Sequence, residues 1–245
     1  MEHVLELEHS HTTQGIRARL AQGPRNNYLH DWIYGGIDGA VTTFAIVAGV
    51  VGADLSVTVI LILGFANLVA DGFAMAAGNY SGTKAEHDDY DRVIGIERKH
   101  IALEPEGERE EIRQIFTAKG FLGDDLERIV TVITSNPTLW VKTMAVEEYG
   151  LSPTPRSAVF AALSTFAAFI LCGLVPLVSY LYIGGLTSCV VATSMTFFGV
   201  GAIKSRWSPS AWWKSGLETL VIGMGAAAVA FAVGYGLRTL IELPA

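Results

Sequence analysis

Two aspartates stand where a carboxylate is costly. Asp38 lies in YGGIDGAVTTFAIVAGV, residues 34–50, and Asp71 in FANLVADGFAMAAGNY, residues 65–80; neither run holds a lysine or arginine that could neutralise it. A charged side chain at the centre of a bilayer costs about 2.5–3.5 kcal/mol on insertion scales and normally faces a bundle interior or a wet path. On helix geometry Asp38 shares a face with Thr42, while Asn67, Asp71, Met75 and Asn79 form one stripe at steps of four. Carboxylate and amide oxygens suit hard divalent cations, and a thioether adds softness that magnesium or calcium does not use, so iron(II) or manganese(II) fits this set best. For either aspartate alone the alternative is a protonated side chain hydrogen-bonded to a neighbouring helix; for Met75 alone it is packing.

A second set of ligand-type residues lies between the second and third apolar segments. Glu97 with His100 and Glu108 with Glu111 are spaced i, i+3, and Met144 with Glu148 i, i+4, with Glu147 beside them. Each spacing puts both members on one helix face, so three helices could converge these side chains on one cation. A solvated acidic face explains the glutamates equally well. Glu97-x-x-His100 is also the spacing of a di-iron carboxylate site, which would make the segment an iron oxidase. The same spacing recurs at Glu8 and His11, in a leader with no helical apolar face.

What must position these residues is written in the hydropathy. Mean hydropathy is +0.39, and five apolar segments, near 32–53, 55–80, 157–182, 184–203 and 216–241, each reach far enough at about 1.5 Å per residue to cross a hydrocarbon core of about 30 Å. Soluble helices are typically about 11–12 residues long and keep a solvent face, so the expected class is an all-α polytopic membrane protein with five transmembrane helices. Lysine and arginine accumulate in cytoplasmic loops. Of the 17 in this chain, only Arg238 falls on the side reached by the connections near 52–56 and 181–185, which places the N-terminus in the cytosol and the C-terminus on the far side.

The organisation expected is a cytosolic tail over 1–30, two spans over 31–82, a cytosolic helical domain over 83–156 and three spans over 157–245. Within that domain Pro105, Gly120, Gly123, Asn136–Pro137 and Gly150 punctuate three helices after an extension of the second span to about 102. Asp38 lies about 9 Å in from Trp32, and Asp71 a similar depth in from Asn79 or Tyr80, so antiparallel neighbours bring them to one level. Small residues mark close packing at Gly35 and Gly39, at Ala70, Ala74 and Gly78, and at Ala226, Ala230 and Gly234. Trp207, Trp212 and Trp213 read as interface anchors, and Glu218 near Lys214 as an interfacial ion pair.

The net charge of −7 comes mainly from the segment between the second and third spans and so says nothing about nucleic acid, which is not among the expected partners. Cys172 and Cys189 fall inside spans without CxxC spacing and read as small core residues. The polar leader lacks the apolar core of a signal peptide, and no targeting extension is visible, which favours a bacterial inner membrane over a vacuolar one. A membrane scaffold with an acidic interaction domain would explain the loop but not the two intramembrane aspartates.

The order and spacing of DGAVTTF, FANLVADGFAMAAGNYSGTKAE, PEGEREEI and NPTLWVKTMAVEEYGL resemble the vacuolar iron transporter family across nearly the whole chain, from about residue 30 to the last span. The resemblance implies five transmembrane helices per protomer, a pore between the first spans of a homodimer, and a cytosolic three-helix metal-binding domain grown from the second span. Asp38 is similar to the family's pore aspartate and Met75 to its pore methionine, while Glu97, Glu108, Glu111, Met144 and Glu148 fall at the spacings of its cytosolic ligands. Two positions depart: Asn67, with Asp71 one turn on, stands where plant members carry a glutamate, and His100 stands where they carry a further cytosolic glutamate. The implied activity is export of iron(II) from the cytosol in exchange for protons, with manganese(II), cobalt(II) and zinc(II) as further candidate cargo and no organic cofactor. Carboxylates and imidazole must be deprotonated to hold a cation, so loading releases protons, in keeping with antiport. The expected partners are divalent metal ions, protons, membrane lipid and a second copy of the chain.

Overall fold

A computed structural model describes residues 10–23, 26–152 and 156–241. Among them there is no strand; the helices are α1, Thr13–Gln22; α2, Leu29–Gly52; α3, Val57–Leu103; α4, Pro105–Ala118; α5, Gly123–Thr134; α6, Pro137–Glu147; α7, Ala158–Ser179; α8, Gly185–Lys204; and α9, Trp212–Ile241. The Glu8 of the leader's E-x-x-H pair, and Arg25, lie outside the described residues. The chain divides into two compact units, Met1–Asn27 with Arg92–Arg156, and Tyr28–Asp91 with Ser157–Ala245.

The second unit is a bundle of apolar helices. Four helical stretches among the described residues are long and apolar enough to cross a membrane: Leu29–Gly52, Val57–Leu103, Ala158–Trp207 and Trp212–Leu240. The third is 50 residues long, about 75 Å at 1.5 Å per residue and far beyond a core of about 30 Å. It is divided by a π-helical turn, Tyr180–Gly184, followed by Gly185; Gly184 and Gly185 hold φ of +93° and +80°, conformations that side chains with a Cβ rarely adopt. That break lets α7 and α8 pack against one another.

Helix α2 is the centre of this bundle and packs against α7, α8 and α9. Its buried positions recur as pairs, Gly35–Gly36, Gly39–Ala40, Thr43–Phe44 and Val47–Ala48, an apolar stripe at helical spacing. A methyl group at Gly35 would lie 2.3 Å from the Thr165 carbonyl oxygen, and one at Gly39 2.3 Å from that of Phe169, so the two backbones touch where only glycine fits. Leu68 of α3 closes over the same crossing, packed on Gly173 of α7. The two cysteines are free and buried in the apolar core, as expected of small core residues.

The small-residue reading of α3 needs correction. Ala70, Ala74 and Gly78 are exposed in the protomer, and the side that meets α7 carries Gly64, Leu68 and Gly72. Two residues of offset on a helix is about 200° of rotation, enough to move a stripe to the opposite side. In α9, Gly234 approaches Gly49 as expected, but Ala226 is exposed and Ala227 is buried in its place. Phe65, Val69 and Phe73 of α3 and Val221, Ile222 and Val229 of α9 face outward, an exterior suited to lipid.

The other unit folds α4, α5 and α6 around Ile112, Leu126, Val130, Ile133, Trp140 and Met144. The expected punctuation operates here. Pro105 opens α4, whose first turn carries Glu106 and Glu108, and Asn136 caps α6 by accepting bonds from the Thr138 and Leu139 amides at 3.1 Å. Gly120, Gly123 and Gly150 take positive φ at the breaks between or after the helices.

Candidate functional site

Within the bundle, Asp38 lies on a groove of about 250 Å³, open to the surface of the protomer and lined by His30, Ile33, Tyr34, Ile37 and Val41. Asp71 is near enough for the two carboxylates to repel one another. Thr42 turns its hydroxyl back on its own helix, donating to the Asp38 carbonyl at 2.9 Å. Asn67 holds a buried Nδ2 with no hydrogen-bond partner, and Met75 packs against the apolar core.

The fourth member of the stripe behaves differently. Asn79 Nδ2 donates toward Asp31 Oδ1 at 3.0 Å and Thr165 Oγ1 at 2.7 Å, with the Ala161 carbonyl at 3.3 Å. Asp31 is 2% exposed. Sequence reasoning passed over it, although it stands seven residues before Asp38 and so nearly on the same side of α2.

In the other unit the geometry gathers Glu97 and His100 from the end of α3 with Glu108 from α4. Glu97 is fully buried and Glu108 is 5% exposed. His100 Nδ1 lies 3.3 Å from Glu108 Oε1 and 3.9 Å from Glu97 Oε1. The Oε2 atoms of both glutamates are buried with no hydrogen-bond partner. Their carboxyl groups come within hydrogen-bonding reach of one another. Two ionised carboxylates offer each other no donor, so that contact becomes a bond only when they share a proton.

Burial, then the charges of Glu97 and Glu111, push the Glu108 carboxyl up from the ordinary 4.5 to about 7. Glu148 is also raised, by burial first and then by Glu97 and Glu111. Tyr149, another residue that sequence reasoning missed, donates its hydroxyl to Glu97 Oε1 at 3.1 Å. Burial and that bond push its phenol up to about 12. Its position beside Glu148 was the available signal.

The remaining expected ligands are placed less favourably. Met144 is fully buried in the apolar core with Ile112 and Trp140. The Glu147 carboxylate is taken by Lys119 in an ion pair. Among the described residues no three His, Cys, Asp or Glu side chains are already closed into a metal-holding arrangement. Buried carboxylates with orphaned oxygens are costly, and a divalent cation that took the place of the Glu108 proton would satisfy them.

Comparison with known proteins decides the family. A model of the VIT family matches residues 29–235. The chain belongs to the VIT family. It is 32% identical over 216 residues to vacuolar iron transporter 1 of Eucalyptus grandis, covering 86% of this chain and 87% of that one. It is 32% identical over 210 residues to vacuolar iron transporter 1 of Arabidopsis thaliana, covering 84% of each chain. To the vacuolar iron transporter of Toxoplasma gondii it is 34% identical over 234 residues, 88% of this chain and 76% of the relative. The family resemblance read from the sequence therefore holds, and this VIT-family chain is a multi-pass membrane protein of a transporter family rather than an enzyme.

Proposed function

We propose that this VIT-family chain exports iron(II), and manganese(II) with it, from the cytosol in exchange for protons. Helices α2, α7, α8, α9 and the first part of α3 make five crossings, and residues 83–156 stand in the cytosol with the N-terminus, as the distribution of basic residues supports. Glu97, His100, Glu108, Glu111 and Glu148 collect the ion, and Asp38, Asp71 and Met75 pass it across the membrane, each carboxylate alternately protonated and loaded. Two copies meet along the Asp38 side of α2, which turns an open groove into an enclosed path.

One observation carries this reading: Asp38 lines an open groove, with Asp71 within electrostatic reach, in spans that hold no lysine or arginine to neutralise either. A carboxylate kept only for helix packing would be enclosed and bonded, as Asp31 is. The names of the relatives support iron as cargo. The test is iron(II) entry into liposomes with an acidic lumen, driven by wild-type and by Asp38→Ala protein. Entry falls to that of empty liposomes in the variant; wild-type rates would remove Asp38 from the pathway.

A further inference from the structure

Asp31, Asn79 and Thr165 lie on three different helices, α2, α3 and α7, and meet through one atom. Asn79 Nδ2 reaches Asp31 Oδ1 at 3.0 Å and Thr165 Oγ1 at 2.7 Å, and the Thr165 hydroxyl lies 3.4 Å from the Asp31 carbonyl. Thr83, one turn beyond Asn79, points its hydroxyl back at Asn79 Oδ1 at 3.5 Å. Asp31, Thr83 and Thr165 are 2%, 2% and 0% exposed and Asn79 is half-buried, so three of the four partners are shielded from water. The meeting point adjoins one of the two closest approaches of α2 to the α7 backbone, where a Cβ at Gly35 would lie 2.3 Å from the Thr165 carbonyl oxygen.

Going inward from Asp31, Asp38 is seven residues along α2, a rise of about 10.5 Å. Going inward from Asn79, Asp71 is eight residues back along α3, a rise of about 12 Å. Both stretches are unbroken helix. Pinning Asp31 to Asn79 therefore sets Asp38 and Asp71 at one level. A slip of α3 by a single residue would move Asp71 by about 1.5 Å and turn it by about 100°.

We infer that the Asp31–Asn79–Thr165 network is a positioning clamp for transport: it fixes the register of α2 against α3 and so holds the Asp38–Asp71 pair at the spacing that selects the cation. The three residues act through the pair and do not themselves touch the ion. The inference rests on the transport reading above. It also explains why Asn79 is bonded while Asn67, on the same stripe, leaves its amide nitrogen unpartnered.

The test compares full-length wild type with Thr165→Val, which keeps the volume and removes the hydroxyl, and Thr165→Ser, which keeps the hydroxyl. Iron(II) and zinc(II) entry into liposomes is measured for each. Less folded protein lowers both fluxes by one factor, whereas a displaced aspartate pair changes their ratio. Thr165→Val is expected to lose about tenfold in iron(II) entry and to change the iron-to-zinc ratio at least threefold; Thr165→Ser restores both to within twofold of wild type. Asn79→Ala, which removes the hub, behaves like Thr165→Val. The clamp is overturned if Thr165→Val matches wild type, if its two fluxes fall by the same factor, or if Thr165→Ser fails as badly. Wild-type flux no greater than that of empty liposomes would instead overturn the transport reading, and the clamp with it.

Discussion

Lowering the pH from 7.5 to 5.5 should weaken metal binding at the cytosolic site by more than an order of magnitude. The perturbation acts on Glu108, whose carboxyl is held at about 7 by burial and by the neighbouring Glu97 and Glu111. If one proton must leave it per metal bound, affinity follows its ionised fraction, about 0.76 at pH 7.5 and about 0.03 at pH 5.5. The ratio is about 25-fold, or about 1.9 kcal/mol. Glu148, also raised, steepens the dependence further. Titration calorimetry of the detergent-solubilised full-length protein with manganese(II), which does not oxidise during the measurement, reads this directly. Glu108→Gln should bind more weakly at pH 7.5 and flatten the pH dependence to within about fivefold. A wild-type affinity that changes less than threefold between the two pH values would refute the Glu108 proton as the competitor of the metal.

The same carboxyl makes stability depend on pH. Between 4.5 and about 7 the folded chain holds a proton at Glu108 that the unfolded chain has lost, so the metal-free protein becomes less stable as pH rises through that window, by at most about 1.4 kcal/mol per pH unit. Thermal unfolding at pH 5 and pH 7 checks the direction, and saturating manganese(II) should remove the difference. Gly39→Ala pushes a methyl group to 2.3 Å from the Phe169 carbonyl and should destabilise the bundle by about 1–3 kcal/mol, while Gly78→Ala, with nothing within 4 Å, should not lower the melting temperature. Lys119→Ala frees Glu147 from its ion pair, and manganese(II) affinity is expected to stay within twofold; a larger change would make Glu147 a ligand.

Local chemistry was legible in the sequence to the extent that one residue type enforces one backbone. Pro105, Asn136–Pro137 and the glycines at 120, 123 and 150 mark α4, α5 and α6 closely, because a missing amide, a side-chain cap and a positive φ act within a turn of the residue that carries them. The apolar segments were equally plain. Which neighbour a helix face meets was not legible, since periodicity fixes a stripe and leaves its partner open. Asn79 shares a stripe with Asp71 yet is held by Asp31 and Thr165, both distant in the chain. Ala70, Ala74 and Gly78 have the spacing of a packing stripe and face outward. Met144 has ligand spacing to Glu148 and lies in the apolar core, and Glu147 has ligand chemistry and is held by Lys119. In each case the surroundings of the side chain depend on residues distant in the chain, which spacing leaves open.

The central claim is that carboxylates in the membrane exchange protons for a divalent cation. The most direct measurement follows iron(II) entry and lumenal pH together in acid-loaded liposomes carrying the wild-type protein. Iron should enter faster than into empty liposomes, the lumen should lose acid in proportion, and a proton ionophore that collapses the gradient should slow both. Iron entry that proceeds at the same rate with the gradient collapsed, or no entry above empty liposomes, would contradict the claim.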